Sequence, residues 1–160
     1  MKVAIIYSSK HGTTAKISAT LAQLIGNRAQ IGLYDISEVA DGNVLEYDTI
    51  ILGTSIYGGH PLQSMTDFCI QNEDKLKQRR LFLFVCGKDK DKAQLEIESA
   101  YPTSLLSHSE ESRFIEGEFL LDRMKLWERL LLRWCFKIKA SERMDYYSIV
   151  KDYADKIAET

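Results

Sequence analysis

The residues of this chain best suited to chemistry are hydroxyls rather than paired acids or thiols. Ser8, Ser9, Lys10, His11, Gly12, Thr13 and Thr14 follow directly on the apolar run Val3, Ala4, Ile5, Ile6, Tyr7 and lead into a helical pattern over residues 15–25. A loop passing from a strand's carboxyl end to a helix's amino end gathers unpaired backbone N–H groups and the positive end of the helix dipole, which makes it a seat for phosphate. Its single glycine is too few for a P-loop or a dinucleotide fingerprint. Ser9, Thr13 and Thr14 instead offer O–H donors, which suit the three exposed oxygens of a terminal monophosphate. The same residue types also serve as ordinary loop and N-cap residues.

A second stretch reads Thr54, Ser55, Ile56, Tyr57, Gly58, Gly59, His60, Pro61. The Tyr57 ring can stack on a flat heterocycle while Gly58 and Gly59 let backbone approach the ring edge; the alternative is a surface tyrosine packed on a neighbouring helix. His11 and His60 are weaker candidates. A third stretch, Cys86, Gly87, Lys88, Asp89, Lys90, follows another apolar run. Lys88 either stands near a ligand or is solvated. Cys69, Cys86 and Cys135 are odd in number and lack a C-x-x-C spacing, so reduced, mostly buried thiols are expected rather than a disulfide framework or zinc site. No catalytic side chain and no metal ligand is assigned.

The elements that must hold these stretches alternate. Residues 3–7, 49–53 and 81–86 are continuous apolar runs, the composition of parallel strands buried on both faces. Weaker strands are expected over residues 29–34 and 113–120. Between them, Ile17, Leu21, Leu24 and Ile25 mark one helix, Met65, Phe68, Cys69 and Leu76 a second, and residues 92–100 a third. Ile149, Tyr153, Ala154 and Ile157 form the inward face of a last helix over residues 146–158. This alternation predicts an α/β fold with right-handed crossovers and a parallel sheet covered on both sides. Its ligand belongs at the carboxyl ends of the strands, where the three stretches lie. The 160 residues fit one domain, and a net charge of −2 gives no reason to expect nucleic-acid binding. Met1 and Lys2 lead straight into the first strand, so no leader is expected and the chain is placed in the cytoplasm.

Residues 121–139 form an additional segment. Leu120, Met124, Trp127, Leu131, Trp134 and Ile138 recur at helical spacing, and Arg123, Lys125, Arg129, Arg133, Lys137 and Lys139 make the same segment basic. Such a helix fits peripheral contact with an anionic membrane face, a partner-docking surface, or a cover for the sheet.

Tyr7-Ser8-Ser9-Lys10-x-Gly12-x-Thr14, Tyr47-Asp48 before the third strand, Gly53-x-Ser55-Ile56-x-Gly58-x-His60 and the Trp/Arg/Lys-rich helix together resemble the FMN-binding flavodoxins, and among them the branch containing menaquinone-dependent protoporphyrinogen oxidase. The resemblance implies a doubly wound five-stranded sheet in the order 2-1-3-4-5, the order of flavodoxins themselves, with an extra amphipathic helix before the last one. It implies FMN as the cofactor, held by Ser9, Lys10, His11, Gly12, Thr13 and Thr14 around the phosphate. Thr54, Ser55, Ile56, Tyr57, Gly58, Gly59, Cys86, Gly87 and Lys88 are then placed around the ring. The third stretch lacks the aromatic that usually covers the flavin's other face, which implies an open face. Two activities follow from the resemblance: an electron carrier working between redox partner proteins, or an FMN-dependent oxidoreductase acting on a small substrate such as a quinone or porphyrinogen at the inner membrane face.

Overall fold

The computed structural model describes residues 1–39, 46–117 and 147–159. The expected helix over residues 121–139 and Cys135 lie outside the described residues. In chain order the elements are β1 (Lys2–Ser8), α1 (Thr13–Ile25), β2 (Gln30–Asp35), β3 (Thr49–Tyr57), β4 (His60–Pro61), α2 (Gln63–Gln71), α3 (Glu73–Leu76), β5 (Arg80–Gly87), α4 (Ala93–Ala100), α5 (Thr103–His108), β6 (Glu111–Glu116) and α6 (Tyr147–Ala158). The sheet runs β2-β1-β3-β5-β6 with every pair parallel, and the two-residue β4 pairs antiparallel with β3 off this path. Among the described residues the expected five strands are therefore corrected to six. The extra strand is a stub too short to carry a period of its own.

Strand alternation sorts the core into two layers. Val3 and Ile5 of β1, Ile51 of β3, and Phe82, Phe84 and Cys86 of β5 pack with Ile17, Leu21 and Ile25 of α1 and Val150, Tyr153, Ala154 and Ile157 of α6. Ile6, Ile50, Leu52, Leu81, Leu83 and Val85 point the other way, onto Met65, Cys69, Leu76, Ile97, Ala100 and Leu105. Both faces of the three central strands are thus dry, which is why they read as unbroken apolar runs. Gly53 has a packing reason: a Cβ there would stand 2.0 Å from Phe84 Cζ, so the ring lies where a side chain would be. Two tyrosines tie helices to the sheet, Tyr153 donating its hydroxyl to the Leu83 carbonyl at 2.8 Å and Tyr101 donating to the Phe84 carbonyl at 2.7 Å.

Three expected boundaries move. Residues 54–57, read as loop, continue β3, because Thr54 and Ser55 pair with Val85 and Cys86, and Ile56 and Tyr57 with β4. The single helix expected through Leu76 is two, broken at Asn72, whose side-chain amide donates to the Phe68 carbonyl at 3.0 Å and so competes with helix continuation. Helix α5 was not anticipated; Leu105 and Leu106 alone are too few for a periodic signal. The strand expected to begin at Arg113 begins two residues earlier, at Glu111.

Candidate functional site

The carboxyl ends of β1, β3 and β5 meet the amino end of α1, and a cleft opens there, lined by Ser9, Lys10, His11, Thr13, Ser55, Ile56, Tyr57, Cys86, Gly87 and Gly117. All three stretches singled out in the sequence contribute. Of the residues expected around a ligand, Gly12, Thr14, Thr54, Gly58, Gly59 and Lys88 do not line this cleft. Thr14 and Thr54 stand behind its wall, fully buried.

The first wall is the loop from Ser8 to Thr13. Gly12 precedes α1 with φ +92°, a left-handed conformation that glycine adopts without strain, and no side chain caps the helix. With no side-chain cap, the start of α1 presents its positive end toward the cleft. Ser9 Oγ accepts the Gly12 N–H at 3.1 Å, which holds the loop closed and leaves the serine proton to donate. Behind the loop, Thr14 Oγ1 has no hydrogen-bond partner among the described residues, and the same holds for Thr54 Oγ1 and Ser55 Oγ across the cleft. Cys86 packs beside Thr14; burial pushes its thiol up to about 12, and proximity to the Thr14 hydroxyl offsets this only in part. The thiol is therefore a neutral apolar surface at neutral pH, not a nucleophile.

The second wall is a hairpin. Gly58 and Gly59, at φ +59° and +81°, form the two-residue turn between β3 and β4, with Tyr57 opposite His60. Positive φ at both central residues is what a tight primed turn demands. A Cβ on either glycine would meet no atom of the chain within 4 Å, so within the protein itself the pair answers to the turn's conformation. The turn sets Tyr57 over the loop from β1: the Lys10 ammonium lies 3.3 Å from its ring centroid, and the His11 ring centroid 5.4 Å away at a 54° tilt. One face of Tyr57 is thus covered by the protein's own side chains, and a ring stacked on that face must displace Lys10.

Beyond the cleft's floor, Lys90 pairs with Glu116 at 3.1 Å and Lys92 with Asp89 at 3.3 Å. Gly117 was missed from the sequence, where it lay inside an expected strand. Its amide donates to the Gly87 carbonyl at 2.8 Å, and a Cβ would stand 2.9 Å from Thr13 Cγ2. An isolated glycine in a strand pattern is itself a signal of close backbone approach. Among the described residues no group of histidine, cysteine or acidic side chains could hold a metal, and no helix is long and apolar enough to cross a membrane.

Comparison with known proteins places this arrangement. The family model described as the flavodoxin domain matches residues 4–145. The Streptococcus TIGR4 flavodoxin superposes with a TM-score of 0.68 at 16% identity, covering 99% of each chain. Oxidised flavodoxin 1 of Bacillus cereus gives 0.65 at 17% identity, covering 99% of this chain and 98% of that one. Fusobacterium nucleatum flavodoxin bound to flavin mononucleotide gives 0.53 at 13% identity over 99% of this chain and 97% of that one. At these identities the likeness is one of fold. Comparison with curated protein sequences finds no match.

Proposed function

Since this chain belongs to the flavodoxin domain family, we propose that it binds FMN without a covalent link in the cleft between β1, β3 and β5 and passes electrons between redox partner proteins in the cytoplasm. The observation that carries the reading is the set of buried hydroxyls without a partner among the described residues, Thr14 at a helix start that no side chain caps and Thr54 and Ser55 across the cleft from it. Buried polar groups are rarely left unpaired. Hydroxyl and amide donors together fit a phosphate monoester.

Bound FMN supplies electron transfer in single steps or in pairs; the chain supplies its seat and its surroundings. The α1 amides, Ser9, Thr13 and Thr14 hold the phosphate, and the positive helix end favours its charge. Tyr57 flanks the ring after Lys10 moves aside. Ser55, Ile56, Cys86 and Gly87 close the deep side and limit water, with Cys86 presenting an uncharged thiol. Lys88 adds positive charge on the third loop. No side chain acts as nucleophile or general acid in this scheme.

A finer reading, protoporphyrinogen oxidation coupled to a quinone at the membrane, is favoured by one observation: residues 87–91 contain no aromatic to cover the second ring face. Its basic helix lies outside the described residues. One experiment separates the readings. Purified protein loaded with FMN should be yellow and should be reduced by a flavodoxin reductase; turnover of protoporphyrinogen dependent on menaquinone vesicles would establish the finer reading. Protein that takes up no added FMN would overturn both.

A further inference from the structure

Behind the cleft lies a buried acidic side chain, Glu96. It sits on α4 with 8% of its surface exposed, and its Oε2 has no hydrogen-bond partner among the described residues. That oxygen lies 2.2 Å from where a Cβ on Gly87 would stand, so it rests directly on the backbone of a residue that lines the cleft. A buried carboxylate oxygen without a partner is costly and seldom kept in a core. The cations nearby relieve it only in part: Lys92, which favours the charged carboxylate, pairs with Asp89 at 3.3 Å, and Lys90 goes to Glu116 at 3.1 Å. The other elements packed on α4 carry Tyr57 on β3, His60 on β4, Arg80 and Cys86 on β5, Glu111, Arg113 and Glu116 on β6, and Asp91 in the turn Lys90–Lys92. Of these, Cys86 is held neutral by burial.

Resting on the FMN reading above, we propose that Glu96 is a proton acceptor linked to the redox state of the cleft, taking up a proton when negative charge enters and releasing it when that charge leaves. The balance is simple. One electron arrives from a redox partner, or from dithionite in the cuvette, and one proton arrives from solvent at a Glu96 carboxylate oxygen. The net charge of the cleft and its floor is then unchanged, and no covalent bond of the flavin is involved. Burial first, then the Asp89 charge, already hold this carboxyl above the ordinary glutamate range, with Lys92 opposing. An added negative charge on the far side of Gly87 moves it further the same way.

The test compares FMN-loaded wild type with Glu96→Gln, which keeps the shape and removes the titration. Potentiometric titration across pH should show an extra segment in the wild type where the potential falls as pH rises. Its slope is one proton per electron, a tenfold change in equilibrium constant per pH unit or about 59 mV. The variant should lack that segment and keep any slope that comes from the flavin itself. Carbon-13 NMR of the glutamate carboxyls in flavin-free protein reads the same group without the cofactor: one resonance, absent in Glu96→Gln, should titrate above the ordinary range. If the variant does not fold, that resonance is assigned in wild type through the proximity of the carboxyl to the Gly87 α-hydrogens. Parallel potential–pH lines, or an ordinary Glu96 midpoint in the flavin-free protein, overturn this inference while FMN binding stands. Protein that takes up no FMN overturns the functional reading and this inference together.

Discussion

Replacing Thr14 with valine separates what the fold needs from what a ligand would need, because the two effects have opposite signs. Thr14 is fully buried and its Oγ1 finds no partner among the described residues. An unsatisfied buried hydroxyl costs about 1–3 kcal/mol, and valine fills the same volume without it. Thr14→Val should therefore leave the flavin-free protein as stable as wild type, or more stable by up to about that amount, in urea unfolding. If Thr14 donates to the phosphate, the same change removes a hydrogen bond to a charged group, about 1.5–3 kcal/mol. FMN should then bind roughly 10- to 150-fold more weakly, as read by the quenching of flavin fluorescence on binding. Riboflavin, which lacks the phosphate, serves as the control: its affinity should not change. A variant that binds FMN as tightly as wild type, or that loses riboflavin affinity equally, refutes the phosphate assignment. A variant less stable than wild type without ligand refutes the claim that this hydroxyl is idle in the free protein.

Tyr57→Leu should weaken FMN binding by about 0.5–1.5 kcal/mol beyond the change in contact area, the usual worth of an aromatic pair, measured by the same titration; unchanged affinity would remove the ring from the site. Gly53→Ala should cost about 1–3 kcal/mol or more in urea unfolding, since its Cβ would stand 2.0 Å from the buried Phe84 ring. Cys69 and Cys86, both buried with thiols pushed up to about 12, should resist iodoacetamide at pH 8 in the folded protein and react after denaturation, as followed by peptide mapping. Arg80 grips both Glu110 oxygens, at 2.6 and 2.8 Å, and its hydrogen bond holds that carboxyl below its ordinary value. The stabilisation is present above about pH 4.3, the ordinary glutamate value, and is lost as pH falls through the lower folded value. The stability difference between wild type and Glu110→Gln should accordingly shrink on acidification.

The parts of the fold legible in sequence were those whose physics is local and repeated. Three strands buried on both faces have no polar face to break the run, so residues 3–7, 49–53 and 81–86 announced themselves, and the spacing of Ile17, Leu21 and Ile25 matched the face that α1 buries. What stayed hidden depends on distant partners. That β3 runs on through Tyr57 follows from β4 and the end of β5 being there to pair with it, and nothing in residues 54–57 alone says so. The Gly58–Gly59 pair is legible as a turn signal, but that the turn closes onto a two-residue β4 depends on His60 and Pro61 pairing back onto β3. Gly117 sits beside Thr13 only because β6 ends next to β5, a fact of topology rather than composition.

The polar atoms left without partners are not scattered evenly. Of the buried hydroxyls and carboxyls without a partner among the described residues, Thr14, Thr54, Ser55 and Glu96 gather at the end of the sheet where β1, β3 and β5 stop, while Ser18 lies one turn further along α1 and Thr49 at the opposite end of β3. Each such group costs about 1–3 kcal/mol, a large fraction of the marginal stability of a domain this size. Valine for threonine would lift that cost at two of these positions without a change of shape, so the hydroxyls are better explained by something that uses them than by the needs of the free chain. Hydroxyl donors on both sides of the cleft, one of them at a helix start that no side chain caps, ask for acceptors at two places, and a carboxyl lodged behind Gly87 asks for a charge that comes and goes. One ligand with a phosphate at one end and a reducible ring at the other meets both demands at once.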